Sequence, residues 1–221
     1  MVAAVDFLFG LSIYKEKIEP SSYDKEKIIE TIEHNYNISK YRGSGFGDWH
    51  DSYKSYDKRF KEVDFSKVQQ IYLEKLKKFC INFLQLKKSY NVDFETINYT
   101  ANREDSYMEP HNHPTSDFSF IHYVQVPSGA APIRFMNQNG FAPYIPVTSK
   151  DLYKMIDAKN SKHSWLFGHY TILPKEDDLF IFPSVLFHQV PVNKAKLKKC
   201  RISIVSNLTI KNPQDERKSG M

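Results

Sequence analysis

The sequence predicts a mainly β fold with flanking helices: a β-sandwich or barrel with helices packed outside. Three observations carry this. Short apolar runs separated by turn residues recur at even spacing from residue 94 onward. One long amphipathic helical pattern precedes them, over Ser66–Tyr90. Hydrophobic residues make up 41% of the chain and aromatic residues 14%, enough to fill a core and to exclude a disordered chain.

Val5–Ile13 reads as a first strand broken by Gly10. Pro20-Ser21-Ser22 is a helix start signal, with Asp24 and Glu26 near the positive end of a helix whose apolar face holds Ile28, Ile29 and Ile32 and which fades by Ser39. Tyr41–Tyr56 carries three glycines and five aromatic residues, a density that marks a loop with unusual backbone angles. Such a loop could line a substrate groove, with Phe46 and Trp49 as its contacts. It could equally be an irregular segment that those two rings anchor. In Ser66–Tyr90, Val68, Ile71, Tyr72, Phe79, Phe83 and Leu86 fall at helical spacing, so this helix backs a sheet.

Strands follow at Phe94–Tyr99, Tyr107–His113, Phe118–Val126 and Ile133–Met136, with a polar turn over Ala101–Ser106. Val147–Phe167 is an insertion with a short helix around Leu152–Ala158. Gly168–Leu173, Leu179–Phe182, Leu186–Pro191 and Arg201–Ile210 are the later strands. The expected organisation is one domain over 1–210, with helical support at 21–90 and a β core at 94–210, then a disordered tail over 211–221.

Lys and Arg outnumber Asp and Glu by 31 to 26, a mild excess that fits a solvated lysine-rich surface and calls for no nucleic acid. The two cysteines, Cys80 and Cys200, form no C-x-x-C pair and no disulfide framework, so a reducing, cytoplasmic setting is expected. No apolar run reaches membrane-spanning length, and the N-terminus lacks the marks of a signal peptide.

The chemistry centres on Tyr107–Pro127. In an extended strand, side chains at i and i+2 share a face, so His111 and His113 can point at one spot. They form half of a metal site, or else two polar residues beside a Pro turn. His188, in a short apolar strand after Phe182-Pro183-Ser184, is the natural third ligand; alone, it would read as a core histidine. Asp117 is an alternative to His113 if the H-P-T-S turn folds back, and otherwise caps that turn. Arg201 opens a strand that should be buried, and a buried guanidinium must be paired. With no obvious acidic neighbour in sequence, a ligand carboxylate is its expected partner, with Ser203 on the same strand face; otherwise Arg201 continues the basic L-K-K-C-R cluster.

His111-Asn112-His113-Pro114, Ser119 with Tyr123-Val124 and Val126-Pro127, Phe182-Pro183-Ser184 with His188 and Val190, and Arg201-Ile202-Ser203 occur here in order, after Leu8-Phe9 and Ile13-Tyr14. This ordered set resembles the Fe(II)- and 2-oxoglutarate-dependent oxygenases, in particular a group found in bacteria and tailed phages; the prolyl hydroxylases are more distant relatives. The resemblance implies a double-stranded β-helix (jelly-roll, cupin-like) core. It implies Fe(II) on His111, His113 and His188, and 2-oxoglutarate on Arg201 with Tyr123 and Ser203, with Tyr99 and Asn98 nearby. It implies O2-dependent hydroxylation of a C–H bond in a peptide, such as a prolyl residue, or in a small molecule, with release of succinate and CO2. One position departs from the family pattern: most members carry Asp or Glu where His113 stands. The alternatives are a three-histidine cupin-like dioxygenase or isomerase that uses no 2-oxoglutarate, and a non-catalytic binding module.

Overall fold

The computed structural model describes residues 12–39, 43–54, 57–82, 84–86, 90–138 and 168–211. The strand expected at Val5–Ile13 lies outside them except for its last two residues. The short helix at 152–158 and the tail beyond 211 also lie outside. In chain order the elements are β1 (Tyr14–Lys17), a 3-10 turn (Pro20–Ser22), α1 (Lys25–Ile38), β2 (Trp49–Asp51), α2 (Ser66–Asn82), β3 (Asn91–Phe94), β4 (Asn98–Asn102) and β5 (Met108–His111). There follow β6 (Phe118–Gln125), β7 (Ile133–Met136), β8 (His169–Ile172), β9 (Asp178–Pro183), β10 (His188–Val190) and β11 (Arg201–Lys211).

From β4 onward, successive strands alternate between two antiparallel sheets, except that β7 and β8 are neighbours in one sheet. One sheet runs β1-β9-β6-β11-β4-β2, with β3 also on β11; the other runs β5-β10-β7-β8. The β4-β11-β6-β9 and β5-β10-β7-β8 quartets are the two faces of a double-stranded β-helix, the fold the resemblance implies. Their inner faces pack through Ile121, Tyr123, Ile133, Phe135, Phe180 and Phe182. The other face of the larger sheet is covered by both helices. Val68, Tyr72, Leu76 and Phe79 of α2 and Ile28 and Ile32 of α1 meet Phe120, Val124, Leu179, Ile181, Ile202 and Ile204. Each such aliphatic or aromatic side chain, fully buried, contributes about 1.5–3 kcal/mol. Both faces of β6, β9 and β11 are therefore apolar over much of their length, which explains the near-continuous hydrophobic runs F-S-F-I-H-Y-V and L-F-I-F.

Several expected boundaries shift, and β5 ends at His111, two residues short of the expected His113. α2 stops at Asn82 rather than Tyr90, because the chain turns at Gln85, whose φ is +54°, and the N–H groups of Leu84 and Leu86 return to the carbonyls of Phe79 and Cys80. The strand expected at Phe94–Tyr99 divides into β3 and β4. The long strand β11 pairs its end (Leu208–Lys211) with β3 and its start (Arg201–Val205) with β4, and the chain crosses between them at Glu95–Ile97. β4 thus takes in Ala101 and Asn102, which sequence alone places in a turn. Within Tyr41–Tyr56, β2 is a strand because β4 offers it an edge: Trp49 opposes Asn102 and Asp51 opposes Thr100.

Alternation along β6 also buries His122 on the helix side, its Nδ1 2.9 Å from the Tyr72 hydroxyl. Burial pushes its pKa down to about 3, against the pull of Asp177. An unfolded histidine titrates near 6.5, so between these values the unfolded chain binds a proton that the folded chain refuses. Stability contributed this way is lost as pH falls through the window, by up to about 1.4 kcal/mol per pH unit. His122→Asn, which keeps a polar partner for Tyr72, is expected to flatten the slope of unfolding free energy between about pH 6.5 and 4 by up to that amount. Urea titrations across the range measure it, and an unaltered slope would show that other groups carry the dependence.

Candidate active site

The site is built by two turns that lock together. β5 and β10 are antiparallel neighbours in which His188 directly opposes His111. Beyond β5, the N–H of His113 donates to the carbonyl of Ser184 at 2.8 Å, and the N–H of Ser184 donates to the carbonyl of Asp117 at 2.9 Å. Ser184 Oγ lies 2.9 Å from Ser119 Oγ. The F-P-S turn therefore holds the H-P-T-S turn through the backbone, and this fixes His113 beside the His111–His188 pair. The ring centroids are 4.3 Å apart for His111 and His188, 5.2 Å for His111 and His113, and 5.5 Å for His113 and His188.

One nitrogen from each of the three rings lies within 4.8 Å of the others, and this trio is the metal-capable group found among the described residues. His111 Nδ1 is 2.8 Å from the carbonyl of Glu109, and His188 Nδ1 is 2.9 Å from that of Leu186. A carbonyl only accepts, so each Nδ1 carries the proton and each Nε2 is left as a lone-pair donor. Burial, reinforced by the neighbouring His111, pushes the pKa of His188 down to about 3. His113 is shifted the same way, by burial first and then by His111. His113 and His188 thus prefer the neutral imidazole, the form that binds a cation.

Asp117 is engaged elsewhere. Its Oδ2 accepts from the Ile210 N–H at 2.7 Å, which ties the end of β11 to the turn.

The trio opens onto a cavity of about 420 Å³ lined also by Trp49, Asp51, Asn98, Thr100, Glu95, Tyr123, Arg201 and Ser203. His188 is buried while His111 and His113 are half-exposed, so the cavity opens beside the histidines. Arg201 lines it too and lies deep, 1% exposed. Its guanidinium sits over the Tyr123 ring, 5.0 Å from the centroid. Among the described residues neither Arg201 Nε nor Tyr123 Oη has a hydrogen-bond partner. Burial lowers the pKa of Arg201 and raises that of Tyr123 to about 12, with Arg201 acting against the latter shift. A buried cation with no acid beside it is costly unless something anionic joins it.

The other sequence-predicted residues divide by strand parity. Asn98 and Ser203 face the cavity. Asn98 is held by Ser52 and by the carbonyl of Thr96, and Ser203 Oγ lies 2.7 Å from Thr100 Oγ1. The Tyr99 hydroxyl turns to the helix side, 3.0 Å from Asn35 Nδ2 and 3.1 Å from His50 Nε2, so it does not reach the Arg201 end; an odd step along β4 puts it on the wrong face. Trp49 lines the cavity. Phe46 instead stacks on Tyr107 outside it, centroids 4.7 Å apart and planes 9° from parallel. Thr100 and Asn102 are additions on the cavity face of the larger sheet. The alternation N-x-T-x-N over Asn98–Asn102 is the signal for them, masked when Ala101–Ser106 is read as a turn.

Residues 98–207 match the family described as "Putative 2OG-Fe(II) oxygenase". The chain carries a 2OG-Fe(II) oxygenase domain. Enzymes of this family use Fe(II) and 2-oxoglutarate. Among solved structures, the chain is similar to a prolyl-4-hydroxylase from Pseudomonas putida: 12% identity, TM-score 0.49, over 90% of this chain and 92% of that one. It is also similar to a prolyl hydroxylase from Trichoplax adhaerens, solved with a hypoxia inducible factor peptide fragment: 13% identity, TM-score 0.49, over 97% and 89%. A 2OG-Fe(II) oxygenase family oxidoreductase from Burkholderia pseudomallei matches at 11% identity and TM-score 0.43, over 68% of this chain and 60% of that one, so this chain spans 60% of that protein. No curated protein matches the sequence. Among the described residues no helix is long and apolar enough to cross a membrane.

The residues of the oxygenase domain fit both groups the family uses. Three clustered imidazoles, two of them with tautomers set by backbone carbonyls, suit a divalent first-row metal. A buried guanidinium Nε and a phenol hydroxyl, both without hydrogen-bond partners among the described residues, suit a carboxylate.

Proposed function

We propose that the chain is an Fe(II)- and 2-oxoglutarate-dependent hydroxylase that acts on a C–H bond of a peptidyl residue, such as prolyl, presented to the open side of the cavity. One observation carries the reading: three clustered imidazoles and a buried arginine whose Nε lacks a hydrogen-bond partner among the described residues line the same cavity.

His111 and His188, through Nε2, and His113 would hold the metal. Bound Fe(II) supplies O2 activation, with the balance substrate-H + 2-oxoglutarate + O2 → substrate-OH + succinate + CO2. Arg201 receives the distal carboxylate of 2-oxoglutarate by a two-point contact, and the Tyr123 hydroxyl adds a donor. The carboxylate in turn neutralises the guanidinium and lifts the cost of its burial. The packed inner faces around Ile121, Phe180 and Phe182 keep water from the deep end. The half-exposed His111 and His113 leave the metal end accessible to a side chain carried on a larger molecule.

Replacing the customary carboxylate by His113 leaves the three protein ligands uncharged. A divalent metal held by them would keep its full double charge for the dianionic cosubstrate, which would strengthen their attraction. The same all-imidazole donor set favours a second reading, a metal-dependent dioxygenase or isomerase that uses no 2-oxoglutarate.

One assay separates the two. Iron-reconstituted protein given 2-oxoglutarate and a prolyl peptide is expected to release succinate in step with oxygen insertion into the peptide, read by mass spectrometry as a gain of about one oxygen atom per succinate. Metal-loaded protein that neither forms succinate nor is stabilised by 2-oxoglutarate would belong to the second reading.

A further inference from the structure

The glycine-rich loop that precedes β2 places a second unused donor on the sheet face of Arg201, two strands away. Trp49 is 2% exposed, and its indole Nε1–H has no acceptor among the described residues. Backbone pairing sets it in a lateral row, with Trp49 opposite Asn102 of β4 and Asn102 opposite Arg201 of β11. Directly opposed residues carry their side chains on one face, with Cβ atoms about 4.5–5.5 Å apart. Trp49 and Arg201 both line the cavity, and Asn102 between them has both amide atoms unpaired.

The loop fits closely around the indole. A Cβ on Gly45 would fall 2.3 Å from Trp49 Cγ, so only glycine lets the backbone pass over the ring. Asp51, two residues on, accepts from the N–H and Oγ of Ser44 and from the N–H groups of Tyr53 and Lys54, which closes the loop on itself. The donor is therefore held in place, buried and unsatisfied, on a cavity-lining residue of the sheet face that carries Arg201. Buried donors are almost always paired, and the acceptor the protein omits is one a ligand can bring.

We propose that Trp49 is a further cosubstrate-binding residue: its indole N–H donates to the distal carboxylate of the 2-oxo acid beside Arg201. The inference rests on the reading of Arg201 given above. A carboxylate offers about four lone-pair sites, enough for the arginine fork, the Tyr123 hydroxyl and the indole together. In this arrangement the loop belongs to the cosubstrate pocket, and the substrate meets the histidines.

The test is Trp49→Phe, which keeps a ring under Gly45 and removes the N–H. Calorimetric titration of Mn(II)-loaded protein with 2-oxoglutarate is expected to show affinity weakened roughly 10- to 100-fold, the value of a hydrogen bond to a charged group. Mn(II) affinity should stay unchanged, and 2-oxobutyrate, which lacks the distal carboxylate, should bind wild type and variant alike. Benzothienylalanine incorporated at position 49, with the shape of tryptophan but no N–H, gives the same comparison if phenylalanine loosens the loop. Equal 2-oxoglutarate affinity in wild type and either folded variant overturns the assignment of Trp49 and leaves the proposed function standing. Failure of the wild type to bind 2-oxoglutarate overturns both.

Discussion

Arg201→Met is expected to raise the melting temperature of the ligand-free protein and to abolish its stabilisation by 2-oxoglutarate. The two effects have opposite signs because the guanidinium is a cost to the fold and an asset to the site. Arg201 is 1% exposed, its Nε has no partner, and its favourable contact is the Tyr123 ring. Removing a charge from water costs several kcal/mol, and a desolvated cation–π contact returns about 2 kcal/mol. Methionine fills similar space without a charge, so a net gain of about 1–3 kcal/mol is expected. For the wild type, 2-oxoglutarate at 100 times its dissociation constant adds about 2.7 kcal/mol, which the variant should lose. Thermal unfolding with and without 2-oxoglutarate reads both. A variant that is less stable than wild type in the absence of ligand, and still stabilised by 2-oxoglutarate, would remove Arg201 from the role given to it.

His188→Ala is expected to weaken binding of Fe(II), or of Mn(II) as its stand-in, by at least about 100-fold, since even the outer partners of metal ligands are worth 10- to 100-fold. Asp117→Asn is expected to leave that affinity unchanged. The contrast follows from geometry: His188 faces His111 across the β5–β10 pair, whereas the Asp117 carboxylate is committed to the Ile210 N–H. What Asp117→Asn should change is stability, by about 0.5–1.5 kcal/mol, as a charge-assisted hydrogen bond becomes a neutral one. Metal titrations on both variants check this. Loss of metal from Asp117→Asn with retention in His113→Ala would exchange the roles of the two residues.

Much of the site was legible because its signals are local. The i, i+2 spacing of His111 and His113 marks both as candidates for one site, although β5 ends at His111 and the turn beyond it places His113. The apolar run that follows Arg201 marks it, from the chain alone, as a charge destined for burial. The Tyr99 position shows the limit of this reasoning. One residue along a strand reverses the face, so its hydroxyl meets Asn35 and His50 while Asn98 and Thr100 face the cavity. Parity can be counted only once the strand's start is fixed, and β4 begins where it does because β11 is long enough to hold both β3 and β4. Trp49 and Phe46 teach the same lesson: both belong to the aromatic loop, yet pairing of β2 with β4 seats one in the cavity and leaves the other stacked on Tyr107.

By itself the sequence determined the class of fold, through the spacing of its apolar runs, and the residue types that could hold a metal and an anion. Tertiary structure decided which of those residues meet. His188 joins the H-x-H pair because β10 lies antiparallel to β5, and His113 is added because the carbonyl of Ser184, far along the chain, holds its N–H. Hydrogen bonds between segments so far apart are set by strand pairing and sheet packing, which no local pattern encodes. That is why the chemistry of Tyr107–Pro127 could be read from the chain, and its completion only from the fold.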